Sequence, residues 1–390
     1  MNGKDWTIHN RSGSMRVLVT RELPGRQWLE TLIAAGCRVD TGAPAANPSR
    51  EQIEEAIGDA CDGAIGQLTE PWGEELFSAL KAAGGRAYSN YAVGYNNVDL
   101  EAATRMGIPV GNTPGVLTET TAEMAVALTF AAARRIAEAD AFMRAGRFTS
   151  WHPALFLGEL LWRKTLGVVG AGRIGSAYAR MMVEGHRMDL VYYDLHKNES
   201  LEDYLASYGR FLSSRGEKPV SCRRAEDLEE VLRVADVVSL HTVLDETTTH
   251  LINPERLALM KENAVLVNTS RGPILDEAAL VAHCREHPEF RAGLDVFEDE
   301  PAMSPGLVDL PNVVVVPHIG SATRWTREGM AALAAANVAA ILMGYPVWAD
   351  PDISPFLRPD PPRAAPSILN ARELNLPFYR PAAKAPCPGL

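Results

Sequence analysis

The sequence predicts an α/β protein of two domains, each built on a parallel sheet, and three observations carry that expectation. An apolar run, Leu166 to Val169, leads straight into Gly170, Gly172 and Gly175 in Gly-x-Gly-x-x-Gly order. Apolar runs of strand length alternate with helical spacing in the first third of the chain and again from Asp227 to His318, the order that builds a parallel sheet. The chain has 390 residues, too many for one ordinary domain and enough for two that each bury a core.

In chain order, Met15 to Thr20 reads as a first strand, and Gln27 to Ala35 has helical spacing until Gly36 stops it. Strands around Arg38 to Asp40 and Asp62 to Gly66 flank a helix at Glu51 to Ile57. The segment Ala87 to Asp99 then puts polar residues and Gly94 at the C-terminal end of a strand, the edge at which open α/β sheets bind ligands. Backbone N–H groups of Val93 and Gly94 suit a small anion there; a plain strand-to-helix turn is the other reading. Glu119 to Ala145 reads as one long alanine-rich helix closed by Gly146, a link between the domains. In the loop-like stretch after it, Trp151 is either locally packed or an interface anchor.

The glycine motif has a specific chemistry. Gly170 is the tight exit from the strand, Gly172 the close approach of backbone to a pyrophosphate, and Gly175 the helix–strand contact. The N-terminus of the following helix favours phosphate. A second apolar run ends in Asp194, nineteen residues after Gly175, where a dinucleotide fold places the acid that binds the adenosine ribose. That acid favours NADH over NADPH, with His196 and Lys197 softening the preference. Leu195 to Arg224 is a polar surface excursion with its own helix near Ser200 to Ser213. Three later strands end in Arg271, Asp295 and His318. Arg271 offers a planar fork for a carboxylate, His318 a proton at neutral pH, and Glu300 a carboxylate that orients the imidazole and favours its charged form. Each also has a plain reading, as surface cation, strand-end packing residue and loop acid. Among nine histidines only His241 and His318 end a predicted strand, and only His318 follows the Arg and Asp ends in series. Together they suit the exchange of a hydride and a proton with a 2-oxo or 2-hydroxy acid.

Composition narrows the rest. The 46% hydrophobic and 22% charged fractions are ordinary for a globular protein, and a net charge of −11 with a pI near 5.4 argues against nucleic-acid or anionic-membrane partners. Five scattered cysteines without Cys-x-x-Cys spacing point to a reducing compartment and to no metal site. The longest apolar run, about ten residues within Met124 to Ala133, is too short to span a bilayer.

Five motifs occur in the order characteristic of the D-isomer-specific 2-hydroxyacid dehydrogenases: Asn112-Thr-Pro-Gly115, Gly170 to Gly175, Asn268 to Pro273, Gly293 to Pro301 and Pro317 to Ala322. The resemblance covers roughly residues 15 to 375. Within the family the chain looks most like the plant-type, NADH-preferring hydroxypyruvate reductases of photorespiration, on Gly66-Gln-Leu-Thr69, Ser89 to Asp99, Asn112 to Glu123, Gly175 to Gly185, the excursion after Asp194, and Trp325 to Met330. It implies two Rossmann-like domains, the substrate domain discontinuous: residues 1–120, a dinucleotide domain over 121–320, and a return over 321–390. The resemblance implies that Arg271, Glu300 and His318 are catalytic. It places Val93, Gly94, Arg271 and Trp151 against substrate, the tryptophan reaching from the neighbouring subunit of a homodimer. It places Gly170, Gly172, Arg173, Ile174, Gly175, Asp194, Thr269, Ser270, Asp295 and Gly320 against NAD.

Two departures stand out. The chain ends Pro388-Gly-Leu390 rather than in the peroxisomal Ser-Lys-Leu, which favours the mitochondrial matrix or cytosol, and His241-Thr-Val243 lacks the proline of the family's His-x-Pro turn. The last forty residues hold ten prolines and are expected to wrap the surface with little regular structure. Two further readings fit the same motifs: an NAD(H)-binding corepressor of this fold, and another dehydrogenase of the family. Formate dehydrogenases carry glutamine where Glu300 stands, and many phosphoglycerate dehydrogenases append a regulatory domain for which the chain has no room.

Overall fold

The structure is a computed structural model that describes residues 6–43, 48–358 and 360–381; Cys387 and the Pro388-Gly-Leu390 end lie outside the described residues. The chain divides into two compact units, Met1–Leu117 with Ala322–Leu390, and Thr118–Ser321.

In the first unit, β1 (Trp6–His9), β2 (Met15–Val19), β3 (Cys37–Gly42), β4 (Gly63–Gly66), β5 (Ala87–Asn90) and β6 (Val110–Gly111) form one sheet in the order β1-β3-β2-β4-β5-β6. Helices α1 (Gln27–Ala34), α2 (Arg50–Ile57), α3 (Glu74–Ala82) and α4 (Leu100–Arg105) connect them. Local chemistry sets the helix ends. Ser49 and Gln52 form a reciprocal capping box on α2, the Asp99 carboxylate caps α4, and Gly36, at φ 80°, ends the turn after α1. All pairings are parallel except β1 with β3. β1 escaped the sequence reading because an edge strand needs no apolar run of its own.

The second unit begins with α5 (Thr118–Ala133) and α6 (Ile136–Arg144). The expected single helix over 119–145 is therefore two. Arg135 takes a left-handed conformation, φ 54°, and its guanidinium lies bidentate on Glu138 in the first turn of α6, at 2.8 and 2.8 Å. The strands β7 (Thr165–Val169), β8 (Asp189–Tyr193), β9 (Cys222–Arg224), β10 (Val237–Leu240), β11 (Val265–Asn268), β12 (Arg291–Leu294) and β13 (Val313–Val315) pair in the order β13-β12-β11-β10-β7-β8-β9, all parallel. Helices α7 (Arg173–His186), α8 (Glu199–Ser214), α9 (Leu228–Val234), α10 (Pro254–Leu257) and α11 (Glu277–Glu286) complete the unit. Both sheet faces are covered. Leu166 and Val168 of β7 pack with Tyr178 and Met182 of α7, while Val169 packs with Val231 and Leu232 of α9. That two-sided burial is why these strands read as unbroken apolar runs. The segment 195–224 is less of an excursion than expected. Leu201, Leu205 and Leu212 of α8 are buried in the core, and its last residues form the edge strand β9.

The chain then returns to the first unit through α12 (Arg324–Leu342), followed by a small parallel pair, β14 (Val347–Trp348) with β15 (Phe378–Tyr379). The proline-rich segment does more than wrap the surface. Asn370, 1% exposed, accepts the Val110 N–H at 2.9 Å and donates to Ile108 O at 2.9 Å, so this segment closes the β6 edge. Proline composition cannot signal such a contact, because the bonding groups belong to Leu369 and Asn370 rather than to the prolines around them. Among the described residues, no helix is long and apolar enough to cross a membrane, and no group of three His, Cys, Asp or Glu side chains is placed to hold a metal.

Candidate active site

In the second unit the sheet reverses winding between β7 and β10, and the crevice outside the strand ends at such a point is where open α/β sheets bind ligands. The glycine loop lies there. Gly170 has φ 91°, a conformation that a side chain disfavours. A Cβ on Gly175 would fall 2.0 Å from Gly170 O, so only glycine lets α7 start this close to the strand. A Cβ on Gly172 would meet nothing within 4 Å, leaving open space before the first N–H groups of α7. Arg173 is exposed and Ile174 half-buried at that helix start.

Asp194 is turned toward this loop: one carboxylate oxygen accepts the Ala171 N–H at 2.8 Å and the other the His196 N–H at 3.0 Å. Asn198 ties α8 to the same loop, donating to Ala171 O at 2.7 Å and Ser176 Oγ at 3.0 Å. Arg224, which no motif marked, donates to Asp194 O at 2.8 Å and Leu195 O at 3.0 Å, placing a cation beside the acid. At the end of β11 the Ser270 hydroxyl turns inward to Asn268 Oδ1 at 2.8 Å. Thr269 Oγ1 is buried with no partner, and so is Thr242 Oγ1 after β10. A buried hydroxyl without a partner is costly and suits a bound polar group. Open space at Gly172, a helix N-terminus behind it, an acid at the next strand end and orphaned hydroxyls fit a dinucleotide.

Arg271 is half-buried, with Nη1 donating to Ser270 O at 2.7 Å; burial pushes its guanidinium pKa down, opposed by the charge of Glu300. His318 Nδ1 lies 2.8 Å from Glu300 Oε2, and the two side chains are 26% and 25% exposed. The other Glu300 oxygen accepts the Phe297 N–H at 3.0 Å. Burial raises the Glu300 pKa, but the bond and charge of His318, the Phe297 N–H and Arg271 outweigh it and hold the carboxyl below its ordinary value.

His318 sits at φ 52°, a left-handed conformation costing on the order of 1 kcal/mol in a residue with a side chain. Asp295 maintains it. Its backbone oxygen accepts the His318 N–H at 2.8 Å, and its carboxylate accepts Ile319 N–H at 2.6 Å and Gly320 N–H at 2.7 Å. Asp295 is 1% exposed; burial raises its pKa, against these N–H groups and His318. A Cβ on Gly320 would press on that carboxylate at 2.8 Å. Asp295 and Gly320, expected as cofactor contacts, thus have a prior task in shaping the turn that presents His318.

His241, the other strand-end histidine, is different. Burial pushes its pKa down to about 3, and its Nε2 bonds Ser239 Oγ at 2.9 Å, so it is a neutral packing residue. In the first unit, Val93 and Gly94 follow β5 and are half-buried. Trp151 is 78% exposed, on a stretch that also exposes Ile136, Met143, Phe148, Leu157 and Leu160.

Residues 126–320 match the model of the D-isomer specific 2-hydroxyacid dehydrogenase NAD binding domain. The chain is 59% identical over 377 residues to the peroxisomal glycerate dehydrogenase HPR of Arabidopsis thaliana, covering 96% of this chain and 98% of that one. It is also 59% identical over 372 residues to a glycerate dehydrogenase of Cucumis sativus, covering 94% and 97%. Among solved structures, the TT0316 protein of Thermus thermophilus superposes with a TM-score of 0.76 at 38% identity, covering 91% of this chain and all of that one.

Proposed function

This chain belongs to the D-isomer-specific 2-hydroxyacid dehydrogenase family and has its NAD-binding domain, and we propose that it reduces hydroxypyruvate to D-glycerate with NADH in photorespiration, and glyoxylate to glycolate by the same chemistry. The observation that carries the reading is the 2.8 Å pair of His318 and Glu300 beside the half-buried Arg271. NADH, when bound, supplies the hydride to the carbonyl carbon. Gly172 and the start of α7 receive its pyrophosphate, Asp194 its ribose, and Thr269 and Thr242 its remaining polar groups. Arg271 clamps the substrate carboxylate with its planar fork and polarises the keto oxygen. Protonated His318 gives its proton to that oxygen as the alcohol forms, and Glu300 holds the imidazole in place. In the first unit, the N–H groups of Val93 and Gly94 are donors suited to a substrate carboxylate.

The working state is a homodimer in which Trp151 reaches the neighbouring subunit's site. The exposed apolar side chains from Ile136 to Leu160 support this, whereas α5 buries its apolar face within its own unit. Light scattering giving the mass of a single 42.4 kDa chain at micromolar concentration argues against the dimer. The reaction is tested by steady-state rates with hydroxypyruvate, glyoxylate and phosphohydroxypyruvate. Hydroxypyruvate should give the highest kcat/KM with NADH, and a preference for the phosphorylated acid would overturn the assignment.

A further inference from the structure

The loop after β5 is held from beneath in an unusually complete way. Thr113 N–H donates to Ala92 O at 2.9 Å, Asn112 Nδ2 to Val93 O at 2.9 Å, and Asn90 Nδ2 to Gly94 O at 3.0 Å. Three consecutive carbonyls are therefore drawn inward. In a trans peptide the N–H points opposite to the C=O, so the N–H groups of Val93, Gly94 and Tyr95 are turned the other way. None of the three donates a hydrogen bond to a described residue. Consecutive N–H groups facing one side form a concavity that binds anions. Val93 and Gly94 are half-buried and Tyr95 is exposed, so the concavity opens outward.

The side chains that draw the carbonyls in are themselves fixed. Asn90 is 0% exposed and Asn112 is 5% exposed. Asn90 Oδ1 accepts the Tyr88 hydroxyl at 3.2 Å, and its Nδ2 also reaches Asn97 Oδ1 at 3.1 Å. Asn97 in turn donates to Gln67 O at 3.1 Å and Glu70 O at 3.0 Å. On the other side, Asn112 Oδ1 accepts the Ser367 hydroxyl at 2.6 Å, and Asn337 Nδ2 donates to Asn112 O at 2.9 Å. Asparagine is the side chain that can do this. It donates to a carbonyl while accepting from a hydroxyl and remains uncharged at every working pH, whereas aspartate offers no donor.

We propose that Asn90 and Asn112 are positioning residues for the reaction: by pinning Gly94 O and Val93 O they aim two N–H groups, those of Tyr95 and Gly94, at the substrate carboxylate, beside the Val93 N–H that Thr113 sets through Ala92 O. The inference rests on the reading that this loop receives the carboxylate. The isosteric Asn90→Asp and Asn112→Asp should each raise KM for hydroxypyruvate and for glyoxylate by roughly tenfold or more, the effect of misdirecting hydrogen bonds to a charged group. Dissociation of NADH, followed by fluorescence, should be unchanged, a split that a merely structural role would not give. Gly94→Pro removes one N–H without altering Asn90 or Asn112. If Gly94→Pro raises KM and the asparagine variants do not, the positioning role is overturned and the loop keeps its carboxylate. If Gly94→Pro leaves KM unchanged, the loop reading fails and the inference with it. Should an aspartate variant lose NADH binding, Asn90→Ala and Asn112→Ala take its place, and loss of NADH binding there too assigns the residues to folding alone and overturns the proposal.

Discussion

Asn90, Asn97 and Asn112 hold the strand ends of the first unit through uncharged hydrogen bonds, while Asp194, Asp295 and Glu300 hold those of the second through carboxylates. A neutral amide keeps its donor and acceptor at any working pH, so the backbone it orients has the same geometry throughout. A carboxylate couples geometry to protonation. Glu300, held below its ordinary value, adds stability that is full above the usual carboxylate range and lost as pH falls through its lowered pKa. Asp295 is raised, and its sign is opposite: it costs stability once pH rises past the usual aspartate range. The first unit has one such group beneath its amides, Glu70, whose carboxyl burial raises and which accepts the Gln67 N–H at 3.0 Å, whereas in the second unit such carboxylates surround His318, the proposed proton donor.

The sharpest way to break this contrast is His318→Ala, which should lower kcat by roughly two to four orders of magnitude, the usual size of a general-acid contribution, with NADH affinity intact. A loss smaller than tenfold in steady-state turnover would remove the second unit's claim to the proton. Next in size, Arg271→Ala should raise KM and lower kcat together, reducing kcat/KM by about two to three orders, as expected of a fork proposed both to bind the carboxylate and to polarise the carbonyl. Arg271→Lys should restore only part of it; full recovery would mean that charge alone matters there.

Asp194→Asn should narrow the NADH preference by about tenfold in the ratio of kcat/KM values for the two cofactors, since one full charge near the 2′ position is removed. Arg224 already lies on the backbone of Asp194, so the starting preference is expected to be moderate. An unchanged ratio would point to Arg224 rather than the acid. The smallest effect at the pH optimum belongs to Glu300→Gln. It removes the negative charge beside the proton donor, so the alkaline limb of reduction should fall at lower pH while activity near pH 6 stays within a few-fold. A limb that keeps its place, at high activity, would separate Glu300 from the proton transfer.

Local chemistry made much of this protein legible in advance. Glycines at 170, 172 and 175, an acid at a fixed distance beyond them, and Arg271, Asp295 and His318 after three successive strands are features that one sheet edge imposes on its own short stretches of sequence. Two-sided burial wrote the strands of the second unit as continuous apolar runs, and these were readable for the same reason. What the tertiary structure decided are contacts between residues far apart in the chain. Asn112 meets Ser367 across 255 positions and Val110 meets Asn370 across 260, and neither pair has a local periodicity to announce it. The break of the long alanine helix at Arg135 depends on one backbone conformation, which composition does not specify. Asp295 and His241 show the same limit at single residues. Each ends its strand as expected, but the N–H groups of Ile319 and Gly320 enclose the carboxylate, and burial keeps the imidazole neutral. A sequence fixes which groups a strand end delivers; the partners that meet them there, and hence their protonation and direction, are set by the packed surroundings.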